Sequence, residues 1–217
     1  MDSNAIPAQP KSLSDVQGQF DELCSYFDVE AAISGKQKLE ALRQKSAEEL
    51  VQAIPHLQHH TFRPVTDDIF IHSGLIEYLQ SKKFAEEFKK RGYRILIGEV
   101  HNEETLYASY NAPTEPTLDA LRLQISNYYA QDVTERAIQQ YTLPTSVELK
   151  DWQTQFGFIV ADGQVRAPSR ALAKALVDNG VGIYDVWRYH IAYRMSFIDE
   201  KVAPASFGVA HAMDRPI

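Results

Sequence analysis

The run Tyr93-Arg94-Ile95-Leu96-Ile97-Gly98 constrains this chain more than any other segment. It is short, apolar and β-branched at its centre. It follows a helical pattern that stops at Gly92, the residue type favoured just past a helix C-terminus. Such a run reads as a buried strand. A second strand candidate, Gly182-Ile183-Tyr184-Asp185-Val186-Trp187-Arg188-Tyr189, follows a helical stretch that stops at Asn179-Gly180. Strands alternating with helices predict an α/β sheet, helix-rich and with few strands. The reading requires 93–98 to pair with 183–189. An unrelated helical protein would lack that pairing.

The helical signals are spread along the whole chain. Leu13, Val16, Phe20, Leu23, Cys24 and Phe27 recur at spacings of three and four, which mark an amphipathic helix capped by Ser12 or Ser14. Helices are predicted over Gln37–Gln44 and Phe84–Arg91, within Thr117–Tyr141, and over Val147–Phe158 and Ser169–Asp178. Ser46 stands three residues before Glu49, a capping box. Pro7 and Pro10 oppose helix at the start of the chain. Phe62–Val65 and Ile69–Ile71 read as short strands around a turn at Thr66–Asp68.

Composition narrows the function classes. The formal charge of −7 argues against a phosphate-binding surface, so no nucleic-acid partner is expected. The densest basic group, Lys82, Lys83, Lys89, Lys90 and Arg91, is interleaved with Glu86 and Glu87 and reads as a solvated helix face. A single cysteine, Cys24, permits no intrachain disulfide and reads as a small buried hydrophobe. The first residues lack the basic and apolar regions of a signal peptide, and no run is long enough to span a membrane. A cytoplasmic location is therefore the expectation for the chain as it stands.

Two clusters are candidates for chemistry. In Gly98-Glu99-Val100-His101-Asn102-Glu103-Glu104, acids gather just past the carboxyl end of the first strand, where α/β sheets build their sites. The alternative is a helix N-terminus, which favours acids for its own stability. In Phe207-Gly208-Val209-Ala210-His211, a histidine follows a glycine in a late loop. It is either a general base or simply solvated. A metal site using His56, His59, His60, His72 and His101 is the competing use, but neither HExxH nor paired Cys–His spacing occurs. Gly180-Val181-Gly182 precedes a strand instead of following one, so it is no dinucleotide fingerprint. No cofactor is expected.

The clusters, in this order, resemble the type-B carboxylesterase and cholinesterase family. Leu42-Arg43-Gln44-Lys45-Ser46-Ala47-Glu48-Glu49-Leu50 is similar to that family's "LRxKSAEEL". Phe62-Arg63-Pro64-Val65 with Asp67-Asp68 resembles its "F-x-P-V-x-D-G". Phe84 through Gly98 resembles "G-x-F-x-x-V-P-x-L-I-G". Pro168–Ala173 and Tyr184–Tyr189 resemble the segments at its late strand "V-Y-x-Y-x-F". The resemblance implies an α/β-hydrolase fold, present here as its C-terminal part over residues 1–217.

The same resemblance assigns the site. The glutamate of "G-x-N-x-D-E-G" falls on Glu103, with Val100, Asn102 and Glu104 in place of Asn, Asp and Gly. Glu104 is the alternative acid. The histidine of "H-G-x-E/D-x-P" falls on His211; Asp214 and Pro216 match, and Ala212 replaces the glycine. The family's serine lies in G-x-S-x-G, and no such pentapeptide occurs in the 217 residues; the glycine-rich oxyanion segment is absent as well. The resemblance thus implies a carboxylic-ester hydrolase portion that carries triad acid and base without a nucleophile, inactive alone. Loss of the serine costs on the order of 10⁶ in turnover. The implied partners are a small-molecule ester in the intact protein and a complementing N-terminal chain. Without that chain the strand at 93–98 is expected to show open edges and to associate. The other reading is a non-catalytic binding or interaction protein derived from the fold.

Overall fold

A computed structural model describes residues 11–201 and 203–213. Pro7, Pro10, Asp214 and Pro216 lie outside the described residues. In chain order the elements are β1 (Lys11–Ser12), α1 (Gln17–Tyr26), α2 (Gly35–Arg43), α3 (Ala47–Ala53), β2 (Val65–Thr66), α4 (Leu75–Leu79), α5 (Lys82–Lys90), β3 (Ile95–Val100), α6 (Glu103–Ser109), α7 (Leu118–Ser126), α8 (Gln131–Ile138), α9 (Leu149–Ala161), α10 (Ala167–Asp178) and β4 (Val186–Ile191). A π-helical turn, Asp162–Arg166, joins α9 to α10.

The required pairing is present. β3 and β4 run parallel, with Ile95 opposite Val186 and Val100 opposite Ile191. Both strands sit further along the chain than the sequence predicts. Gly182–Asp185 forms a turn in which Asp185 N–H donates to Gly182 O at 2.9 Å, so β4 begins only at Val186. Gly98 allows the close approach of the strands: a Cβ there would lie closer than 3.0 Å to Tyr189, its register partner. One face of this pair, Ile95 and Val186, packs on Ala85 and Phe88 of α5 and on Leu172 and Leu176 of α10. The larger core lies among α7, α8 and α9, around Leu121, Ile125, Tyr128, Phe156 and Val160. Gly157 lets α9 lie directly on α6, because a Cβ there would collide with Glu104 O.

Local chemistry explains the remaining element boundaries. Ser34 with Gln37 and Ser46 with Glu49 both form complete capping boxes. Ser81 caps α5, and Gly92 ends it at φ +64°. The helical stretch 117–141 is broken into α7 and α8, and Asn127 at the break donates to Gln58 O and Leu123 O. The predicted strand Ile69–Ile71 is not formed. Asp67 Oδ1 accepts the N–H groups of Ile69, Phe70 and Ile71 at 2.8–3.1 Å. That side chain takes the donors a strand ladder would need. The strand expected at Phe62–Val65 shrinks to Val65–Thr66, which pairs parallel with β1. Cys24 is buried and free.

Candidate active site

β3 runs into α6 with two residues between them, His101 and Asn102. Glu103 and Glu104 open α6, where unpaired backbone N–H groups favour acids. Glu103 is fully buried. Its Oε1 accepts the Val100 N–H at 2.8 Å, and its Oε2 lies 2.6 Å from His211 Nδ1. An ionised carboxylate only accepts, so Nδ1 carries the proton toward Glu103 and Nε2 becomes the nitrogen that accepts one. The Tyr107 ring lies 5.7 Å from the imidazole. Burial, and next the negative charge of Glu103, pushes the Tyr107 hydroxyl well above the ordinary tyrosine range.

His211 reaches Glu103 because Asn102 docks its loop. The Asn102 N–H donates to Val209 O at 2.9 Å, and the Val209 N–H donates to Asn102 Oδ1 at 3.1 Å. The first of these belongs to a parallel backbone bridge between Asn102 and Ala210, and the second reinforces it from the side chain. Asn102 Nδ2 also donates to Glu104 Oε1 at 3.2 Å. An amide supplies both a donor and an acceptor here; an aspartate would supply only acceptors. Thr105 Oγ1 donates to Phe207 O, and Arg194 Nη1 to Gly208 O, each at 2.8 Å. Gly208 has φ +62° and ψ −128°, a conformation open to glycine. Ala212, at φ +66°, holds a left-handed conformation that glycine adopts without strain.

The structure separates the acids of the first cluster. Glu103 faces His211. Glu104 instead forms an ion pair with Arg166, which also bonds Asp162 at 3.0 Å. Burial opposes the Arg166 charge, and the hydrogen bonds it donates to Glu104 and Asp162 raise its pKa nonetheless. Glu99 lies within β3, not past it, and its carboxylate meets Arg170 at 2.8 Å and Arg188 at 3.4 Å. The histidines weighed for a metal are dispersed. His56 stacks on Tyr26, His59 meets Glu22, His60 meets Gln124, His101 stacks on His190, and His72 is exposed. Among the described residues no three metal-ligating side chains converge.

A cleft of about 730 Å³ opens beside His211, with walls from Pro55, Phe62, Arg63, Leu106, Tyr107 and Tyr128. A more apolar pocket of about 370 Å³, lined by residues of α4, α8, α9 and α10, contains neither Glu103 nor His211. Sequence reasoning noted Gly208 but missed Asn102 as the docking residue and Arg166. A glycine three residues before the histidine was the available signal for the loop. Nothing local marks Arg166.

The sequence profile described as "Carboxylesterase family" matches residues 6–217. The chain belongs to the carboxylesterase family. It is 36% identical over 217 residues to a Schizosaccharomyces pombe protein described as an uncharacterized esterase/lipase, covering 98% of this chain and 40% of that protein. It is 32% identical over 223 residues to a Gibberella moniliformis protein described as a carboxylic ester hydrolase, covering 100% of this chain and 40% of that protein. The chain therefore spans about 40% of the length of these relatives. In fold it is similar to the crystal structure of Aspergillus niger EstA, with a TM-score of 0.61, 19% identity, and coverage of 99% of this chain and 40% of EstA. The architecture is that of an α/β-hydrolase. No helix among the described residues is long and apolar enough to cross a membrane.

Proposed function

We propose that this carboxylesterase-family chain is the C-terminal part of a serine esterase and contributes the acid and the base of its triad. The observation that carries the reading is the 2.6 Å contact between His211 Nδ1 and the fully buried Glu103 Oε2. In the assembled site a serine from a segment outside these residues attacks an ester carbonyl. His211 Nε2 takes its proton and later returns one to the leaving alcohol. Glu103 holds the tautomer and stabilises the imidazolium. The chain alone hydrolyses esters at no more than background rate, and a complementing chain covers the edges of the β3–β4 pair. Exposed Leu96, Trp187 and Tyr193 support that expectation of association. The intact acid–histidine pair favours this reading over a non-catalytic binding protein.

The test is a chimera in which this chain replaces the matching segment of the Gibberella moniliformis relative. Ester hydrolysis by the chimera is expected, with His211→Ala lowering turnover by about 10⁶-fold and Glu103→Gln by about 10⁴-fold. The isolated chain is expected to form no adduct with a fluorophosphonate. Chimera activity indifferent to His211→Ala, or an isolated-chain rate above background that this substitution abolishes, overturns the reading.

A further inference from the structure

Arg63 lines the cleft beside His211, and the triad chemistry makes no use of it. Its surroundings are unusual for a cation. The guanidinium lies over the Tyr128 ring, 4.7 Å from the centroid, and Nη1 donates to Gln164 Oε1 at 3.0 Å. Gln164 Nε2 donates in turn to Tyr129 Oη at 2.8 Å, which turns the amide oxygen toward Arg63. The Nε–H is buried and finds no acceptor among the described residues. An amide oxygen and a π face solvate a cation, but they do not neutralise it.

Some other arginines are handled differently. Arg166 meets Glu104 and Asp162; Arg170 and Arg188 meet Glu99. No carboxylate among the described residues pairs with Arg63, in a chain whose formal charge is −7. Its charge is felt around the cleft. Burial raises the hydroxyls of Tyr107, Tyr128 and Tyr129, and in each case Arg63 pulls the other way. The cation is also firmly placed. Pro64 stiffens the backbone beside it, and Thr61 N–H is tied to Asn127 Oδ1 at 3.1 Å.

We propose that Arg63 anchors a carboxylate carried by the substrate, so that this site takes esters whose acyl or alcohol part ends in an acid group. Guanidinium presents a planar fork of donors that matches a carboxylate, and such charge-assisted bonds are strongest where water is partly excluded. The aromatic and aliphatic walls then hold the linking carbons. The ester lies toward His211 and the acid toward Arg63. The proposal rests on the reading of His211 as the triad base, since only that makes the cleft a substrate cleft.

The test is binding, so it needs no serine. The purified 217-residue chain is titrated with monomethyl succinate and, separately, with dimethyl succinate, and the Arg63 guanidinium and His211 ring signals are followed by NMR. The monoanion is expected to bind about tenfold tighter than the neutral diester. Arg63→Gln is expected to erase that preference by weakening the monoanion far more than the diester, and Arg63→Lys to retain part of it. Should Arg63→Gln lose its fold by circular dichroism, salt provides the second measurement: the wild-type preference is expected to shrink as ionic strength rises. Equal affinity for the two esters, no binding of either, or a preference that survives Arg63→Gln or ignores salt each overturns the proposal. Failure of the triad reading shows elsewhere, as chimera activity indifferent to His211→Ala, and leaves this binding preference untouched.

Discussion

Gly208→Ala tests how the histidine is delivered to its acid. Gly208 sits at φ +62° and ψ −128°, and an added Cβ would lie closer than 3.0 Å to Asn102 Oδ1. Holding alanine in such a conformation costs about 1–3 kcal/mol. The clash adds a second cost. Asn102 must swing away, and the Val209 N–H loses its 3.1 Å acceptor in a part of the loop where Val209 and Ala210 are buried. A buried donor left without a partner costs about 1–3 kcal/mol more. The substitution is therefore expected to destabilise the chain by about 2–6 kcal/mol in urea unfolding. It is also expected to move His211 off Glu103, seen as loss of the strongly hydrogen-bonded Nδ1 proton signal. A loss below about 1 kcal/mol with that signal intact would refute the docking argument.

Three further outcomes follow from the same geometry. Ala212→Gly removes left-handed strain of about 1–2 kcal/mol but frees the unfolded chain by about 0.4–1 kcal/mol, so a net gain of roughly 0.5–1 kcal/mol is expected as a higher urea midpoint. Glu104→Gln leaves Arg166 half-compensated by Asp162 and is expected to cost about 2–4 kcal/mol while the His211–Glu103 signal persists; loss of that signal would count against separate roles for the two acids. Burial raises the Tyr129 hydroxyl to about 12, against 10.0 for an unperturbed tyrosine. The unfolded chain then loses this proton first, so the stabilisation is complete below pH 10 and is lost as pH climbs toward about 12. Tyrosinate absorbance during alkaline titration is expected to show a late, unfolding-linked step.

What could be read in the sequence was whatever depends on near neighbours. The β-branched run after Gly92 marked β3, and serine–glutamate spacing marked the start of α3. Ile69–Ile71 misled because its apolar character matches a strand, while the deciding group, Asp67 Oδ1, competes for the backbone donors from just upstream. The pair Glu103 and His211 was legible only through family resemblance. The partners stand far apart in the chain, and neither local periodicity nor composition connects them. The same holds for Arg63, which in sequence is one residue of a turn motif and in space lines the cleft beside His211 with no carboxylate partner among the described residues.

The acids after β3 show why local reading stops short there. Glu99, Glu103 and Glu104 are all buried within one short stretch, and their chemistry as isolated residues is the same. If they shared one environment they would repel one another. Instead each is drawn to a different element: Glu99 to Arg170 on α10 and Arg188 on β4, Glu104 to Arg166 in the π turn, Glu103 to His211 in the last loop. Two of the three are matched by permanent cations. The third faces a group that takes on and gives up a proton. That difference is set wholly by long-range partners: Glu99 and Glu104 hold arginines, and Glu103 holds an imidazole.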